Sequence, residues 1–239
     1  MMKNILVAIV ALLSISFTGN ALQPNRSPAV VDHRIRIAVI DSGINITPEI
    51  KPFMCVNGEE DMTGAGPKDT HGHGTNIAHL IARNLDPTKH CLVSIKYFQT
   101  GLYSVYNLQY EIQAFKRAVA IGSKYINLSS GGGEPSAEEI SIIKKALSKN
   151  IRVIVAAGNE GQDLSMNCNY FPACSVKDDN FYVVGNKYLD GRMVPSSNFN
   201  GPVRAYRTGV DCKAGGCTMS GTSQSTAIFT GELVKQEHP

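Results

Sequence analysis

Apolar residues along the chain fall into short unbroken runs that alternate with stretches of helical spacing. Ile35 to Ile40 (IRIAVI) is apolar at nearly every position, as a strand buried on both faces should be, and it stops directly at Asp41-Ser42-Gly43. Cys91 to Phe98, Tyr125 to Leu128, Ile151 to Ala157 and Phe181 to Val184 are predicted as further strands. Between them, His73 to Asn84 sets Ile77, Leu80 and Ile81 on one helical stripe, and Leu108 to Ile121 turns Ile112, Phe115 and Val119 inward. Pro135 followed by Ser136-Ala137-Glu138-Glu139 has the form of a capping box, opening a helix to about Lys149 that Asn150 can end. Strands alternating with helices predict an α/β domain of three layers, a mainly parallel β-sheet flanked by helices. In such sheets functional groups gather at the carboxyl edge. Asn45 to Asp69, rich in glycine, proline and polar residues, reads as an irregular surface passage, and Gly101 to Ser104 as a polar loop.

The N-terminus changes where this domain is expected to work. Met1-Met2-Lys3-Asn4 is a short basic start, and the apolar run Ile5 to Phe17 is too short to span a bilayer comfortably. Gly19-Asn20-Ala21 then offers the small residues a signal peptidase reads, so residues 1–21 are expected to be a cleaved secretory signal rather than an anchor. Residues 22–34 form an extended polar leader, and residues 35–239 the folded domain. The product would be secreted or periplasmic, with no membrane contact after cleavage. Loss of Lys3 takes the formal charge from +3 to +2, too small a surplus to point to nucleic acid.

Export gives the six cysteines an oxidising setting in which thiols pair. Proximity alone couples Cys168 with Cys174 and Cys212 with Cys217, leaving Cys55 and Cys91, out of 15 formal connectivities. A metal site is disfavoured, since no Cys-x-x-Cys spacing occurs and the histidines are not grouped with the cysteines.

Four residues stand where chemistry could be done. Asp41 ends a buried strand, where a carboxylate must be hydrogen-bonded or paired, and an imidazolium would serve; a turn-forming Asp-Ser-Gly is the structural alternative. His71-Gly72-His73-Gly74-Thr75 opens the next helix, with glycines that let a neighbour approach closely. His73 is the better base, ahead of His71. His73 and His79 are six apart and fall on different sides of a helix, unlike a zinc-binding pair, so no metal is assigned. Asn159, after the strand Ile151 to Ala157, could donate to a developing oxyanion or simply close an Asx-turn. Ser220 to Ala227 places Ser223 among small residues at a loop-to-helix junction, a setting for a nucleophile or a cap.

The blocks AVIDSG, HGTNIAHLIA, VAAGNEG and SGTSQSTA, in that order, resemble the four signature blocks of subtilisin-like serine proteases from about Ile35 onward. The resemblance implies a secreted serine endopeptidase, active as a monomer on polypeptides through an acyl-enzyme. Asp41 would orient His73, His73 would act as base and then acid, Ser223 as nucleophile, and Asn159 with the Ser223 N–H as oxyanion hole. Ser129-Ser130-Gly131 matches the strand that lines the primary specificity pocket, and Phe98 to Gly101 resembles the opposite wall, so that substrate adds as a strand between them. No cofactor is required; structural calcium is common in the family, though no ligand cluster here assigns a site.

Four departures from the pattern accompany it. Gln224 to Ala227 replaces the usual Met-Ala-Ser/Thr-Pro, and His79 stands where a small residue is preferred. Only 16 residues follow Ser223, and 19 separate Ala21 from Asp41, so a shortened C-terminus and no room for a propeptide are expected. A secreted pseudoprotease that binds peptides in the same groove is therefore the alternative.

Overall fold

The computed structural model describes residues 32–239, apart from the side chains of 102–104; the predicted signal and most of the leader lie outside the described residues. Seven strands form one parallel sheet: β1 (Ile35–Asp41), β2 (Met54–Asp61), β3 (His90–Lys96), β4 (Tyr125–Leu128), β5 (Arg152–Ala156), β6 (Phe181–Asn186) and β7 (Val203–Arg207). Their spatial order is β2-β3-β1-β4-β5-β6-β7, so the chain places β2 at the edge, returns to set β3 beside β1, and then crosses to build outward on the other side. That reversal makes the carboxyl ends of β1 and β4 a topological switch point, where open parallel sheets leave a crevice. A small antiparallel hairpin, β8 (Cys212–Ala214) and β9 (Cys217–Met219), stands apart from the sheet.

Four helices cover the two faces. On one, α2 (Asn107–Ala120) and α3 (Ala137–Ser148) bury Phe115, Ile143 and Ala146 against Ile126, Val153 and Val155. On the other, α1 (His73–Ala82) and α4 (Thr222–Glu237) bury Ile77, Leu80, Ala227 and Val234 against Ile37, Val39, Tyr125 and Ile154. Alternate positions of β1, β4 and β5 thus face opposite cores, which is why these strands are apolar throughout rather than every second residue. The expected three-layer α/β class is observed.

Local signals explain several boundaries. The Ser136 hydroxyl accepts from the Glu139 N–H at 3.3 Å, as a capping box requires, and Asn150 adopts φ 59°, ending α3 in the left-handed region where Asn is tolerated. The Glu139 carboxyl, however, is drawn into the interface between α3 and α2, against Glu111; the two residues are 2% and 6% exposed. Burial, then the hydrogen bond and charge of Glu139, hold the Glu111 carboxyl well above the ordinary range. A carboxyl raised on folding contributes stability below its unfolded value and loses it as pH rises toward the folded value. Glu111→Gln is therefore expected to leave the melting temperature nearly unchanged at pH 5 and to raise it by about 2–4 °C at pH 8, read by thermal melts.

Three parts of the sequence reading are corrected. Asn45 to Asp69 is not irregular throughout, because it contains β2. This edge strand carries a register shift between Met54 and Glu59 and a positive φ at Asn57, features that erase any alternation of apolar residues. Cys55 on β2 bonds Cys91 on the neighbouring β3, and Cys168 bonds Cys174, as proximity predicted. Cys212 and Cys217 are free thiols, against expectation. In the hairpin Cys212 lies opposite Met219 and Cys217 opposite Ala214, so the two cysteines sit diagonally rather than face to face. The Cys212 sulfur turns toward Thr208 O and Val210 O, and that of Cys217 toward Ala214 O and Gly72 O. The predicted loop after Gly101 is a short 3-10 turn, Gly101–Tyr106.

The residues after Ser223 form four turns of helix fastened to the sheet. Arg152 on β5 donates to Glu237 at 3.1 Å, the Tyr125 hydroxyl on β4 reaches the same carboxylate, and Arg207 on β7 pairs with Glu232.

Candidate active site

Asp41, Ser129 and Asn159 come from adjacent strand ends, those of β1, β4 and β5, while His73 and Ser223 open the two helices packed on one face of the sheet. His73 Nδ1 lies 2.8 and 3.0 Å from the two Asp41 oxygens, and the Ser42 N–H also donates to Asp41 at 2.7 Å. A Cβ at position 74 would stand 2.2 Å from Gly43 O and 3.1 Å from the Asp41 Cβ, so the glycine after His73 is what allows helix α1 to start this close to the carboxylate. Burial works against charge on the His73 ring, but Asp41, with Asp69 adding to it, outweighs that and raises the ring above the ordinary imidazole value. With Nδ1–H given to Asp41, Nε2 is left as an acceptor, the tautomer a general base needs.

Asp69 was missed by sequence reasoning. Its buried carboxylate accepts from the Ser42 hydroxyl (2.9 Å), the N–H groups of His71 (2.9 Å), Gly72 (2.7 Å) and Thr75 (2.9 Å), and the Thr75 hydroxyl (2.6 Å). Ser42 in turn accepts from the Gly74 N–H at 2.9 Å. One carboxylate thus ties the loop after β1 to the loop and first turn that carry His73. These bonds overcome burial and hold Asp69 below the usual carboxylate range, so its contribution is present at neutral pH and lost as pH falls through the folded-state value. Asp69→Asn presents an amide NH2 to N–H donors on one side. It is expected to lose about 2–4 kcal/mol at pH 7 by urea unfolding, with a smaller penalty in acid.

Ser223 sits in the first turn of α4, where backbone N–H groups precede the first intrahelical bond. Its hydroxyl donates to the Ser129 carbonyl at 2.8 Å rather than to His73, and the Ser129 hydroxyl donates to the Ser223 carbonyl at 3.2 Å. Asn159 accepts the Thr222 N–H at 2.9 Å through Oδ1, tying the end of β5 to the first turn of α4. The Gly158 N–H donates to the Thr222 hydroxyl at 3.3 Å, completing the seam between β5 and α4.

The substrate-wall residues divide. Phe98, Ser129 and Ser130 line a cavity of about 180 Å³ together with Asp41, His71, His73 and Tyr97. Gly101 starts the 3-10 turn beyond that wall, and Gly131 backs onto the ring of Tyr170. His71 is exposed and meets Phe98 edge-on at 5.5 Å, and it is His73 that bonds the Asp41 carboxylate.

Two departures from the family pattern find partners here. Gln224 donates at 3.2 Å to Asn76 on α1, and Asn76 donates to the carbonyls of Cys212 and Ala214. This buried amide pair joins the helix that carries Ser223 to the helix that carries His73. His79 turns outward to within 3.3 Å of the Thr47 hydroxyl, where there is room for its ring.

The chain is 28% identical over 210 residues to subtilisin-like protease 11 of Arthroderma gypseum, covering 83% of this chain and 48% of that protein. It is 30% identical over 205 residues to subtilisin-like protease 2 of Pseudogymnoascus destructans, covering 82% and 50%. The chain spans about half the length of such curated relatives. A solved cold adapted subtilisin-like serine proteinase matches the fold at a TM-score of 0.71 and 24% identity, over 85% of this chain and 76% of that one. A lanthipeptide protease does so at 0.68 and 19%, over the same shares. The subtilase family model matches residues 32–239, nearly all of the chain, and the chain belongs to the subtilase family.

Proposed function

We propose that this chain is an exported serine endopeptidase that hydrolyses peptide bonds through Asp41, His73 and Ser223. The observation that carries the reading is the short His73 to Asp41 bond at the carboxyl edge of the sheet, in a cavity also lined by Ser129, whose carbonyl holds the Ser223 hydroxyl. A rotation about the Ser223 side chain, fast on the scale of turnover, exchanges its bond to Ser129 for one to His73 Nε2. Ser223 Oγ then bonds the substrate carbonyl carbon as its proton passes to His73. The Asn159 amide and the Ser223 N–H hold the oxyanion. His73 returns the proton to the departing amine, leaving an acyl-enzyme that water cleaves by the same steps in reverse order. No cofactor is called for. The substrate is polypeptide lying between the Phe98 and Ser129 walls, and the working form is a monomer. Two disulfides and the apolar segment Ile5 to Phe17 support export under a signal of residues 1–21, and among the described residues no helix is long and apolar enough to cross a membrane.

A second reading rests on one observation, the Ser223 hydroxyl turned to Ser129 instead of His73: a pseudoprotease that holds peptides in this groove uncut. Incubation with unfolded casein separates the two. Internal fragments that vanish after treatment with a sulfonyl fluoride are expected; bound but intact casein would establish the second reading.

A further inference from the structure

The segments on either side of Ser223 are edged by glycine, and one side chain stands between them. On one side Ser129 exchanges hydrogen bonds with Ser223, and Gly131 follows two residues on. On the other, Gly158 and Asn159 bond Thr222. In the endopeptidase reading, a substrate whose carbonyl carbon meets Ser223, with its oxygen at Asn159, brings the side chain of that residue to the gap between the two segments.

The gap holds the ring of Tyr170. A Cβ built on Gly131 would lie 2.5 Å from the ring Cε1 and 2.8 Å from Cζ, and one built on Gly158 would lie 2.9 Å from Cε2. The ring edge therefore reaches both walls. From the Gly158 side the gap is narrowed further, since that Cβ would also be 2.4 Å from the Glu160 carboxylate and from the Asn198 amide, which are hydrogen-bonded to each other at 2.7 Å.

Tyr170 is not free to swing away. The next residue, Phe171, pairs with Gly132 in both directions, at 2.8 and 2.7 Å, so the loop is zipped to the very strand that forms the wall. The Tyr170 carbonyl accepts from the Cys174 N–H at 2.9 Å, and the Cys168–Cys174 disulfide closes the loop around it. The ring itself packs on the core beneath α2 and α3.

We infer that Tyr170 occupies the depth of the cleft beside Ser223 and restricts the substrate to a small residue, glycine, alanine or serine, on the acyl side of the scissile bond. This rests on the endopeptidase reading above and narrows its substrate class. A phenylalanine or leucine side chain would have to displace a ring that two walls and a disulfide loop hold in place. The carboxylate of Glu160 at the rim adds a bar to acidic residues.

The test is cleavage of a peptide library varied at that one position, on the native chain and on Tyr170→Gly, with fluorophosphonate labelling of both preparations alongside. The native chain is expected to prefer alanine over phenylalanine by at least about tenfold in kcat/KM, and Tyr170→Gly to reverse that order while labelling persists. Native protein that labels but cuts after phenylalanine or leucine as readily as after alanine overturns the inference and leaves the triad standing; so does a labelled Tyr170→Gly with an unchanged profile. Native protein that takes no label overturns the endopeptidase reading and the inference with it. Should Tyr170→Gly fail to fold, the native profile alone decides.

Discussion

Ser223→Ala is expected to lower turnover on a peptide amide by about 10⁶-fold with little change in substrate affinity, a magnitude carried over from subtilisin. The affinity is spared because alanine removes only the attacking oxygen. The walls at Phe98 and Ser129 keep their shape, and Asn159 stays bonded to the Thr222 N–H. What the variant loses besides the nucleophile is the hydroxyl's bond to the Ser129 carbonyl, which that carbonyl can replace with water at the cleft surface. The ratio of kcat values at saturating peptide checks it. A residual rate near one per cent of the native one would mean that another group supplies the nucleophile.

The second large effect is expected at Asp41→Asn, a loss of about 10⁴-fold in kcat, again of the size known for subtilisin. Here the fold keeps its geometry and the tautomer changes. The Asp41 oxygens stand 2.8 and 3.0 Å from His73 Nδ1 and fix the ring proton there. An amide NH2 in place of one oxygen turns Nδ1 into an acceptor, moves the ring proton to Nε2, and so points a donor at the position from which Ser223 must lose its own proton. The same substitution removes the largest of the influences that raise His73. The acid limb of kcat/KM, set by protonation of His73, is therefore expected to shift to lower pH in the variant, and an unmoved limb would break the link between these two residues.

How much of this was visible in the chain depends on whether the controlling contact is local. β1, β4 and β5 announced themselves because both faces of each are buried, and Asp41 and Asn159 stood out because they lie at or just past the ends of such strands. Ser136 and Asn150 marked the ends of α3 through bonds made within a few residues. β2 and β7 were not legible, for their pairing is imposed by β3 and β6 across the sheet, and Gly58 or Arg204 carries no apolar signal. Asp69 looked like one more polar residue in a surface passage; only folding brings Ser42 and Thr75 around it. Tyr170 and Gln224 were hidden for the same reason, since each acts on a segment dozens of residues away. Cys212 and Cys217 show the reverse error, where closeness in sequence was mistaken for the face-to-face register that a bond needs.

The central claim is that Ser223 is a nucleophile activated by the Asp41–His73 pair, and a fluorophosphonate probe addresses it without assuming any substrate. The folded native chain is expected to take up one equivalent of label, mapped by mass spectrometry to the peptide containing Ser223, while Ser223→Ala takes none. Folded native protein that stays unlabelled, or label that maps to a different residue, would contradict the account.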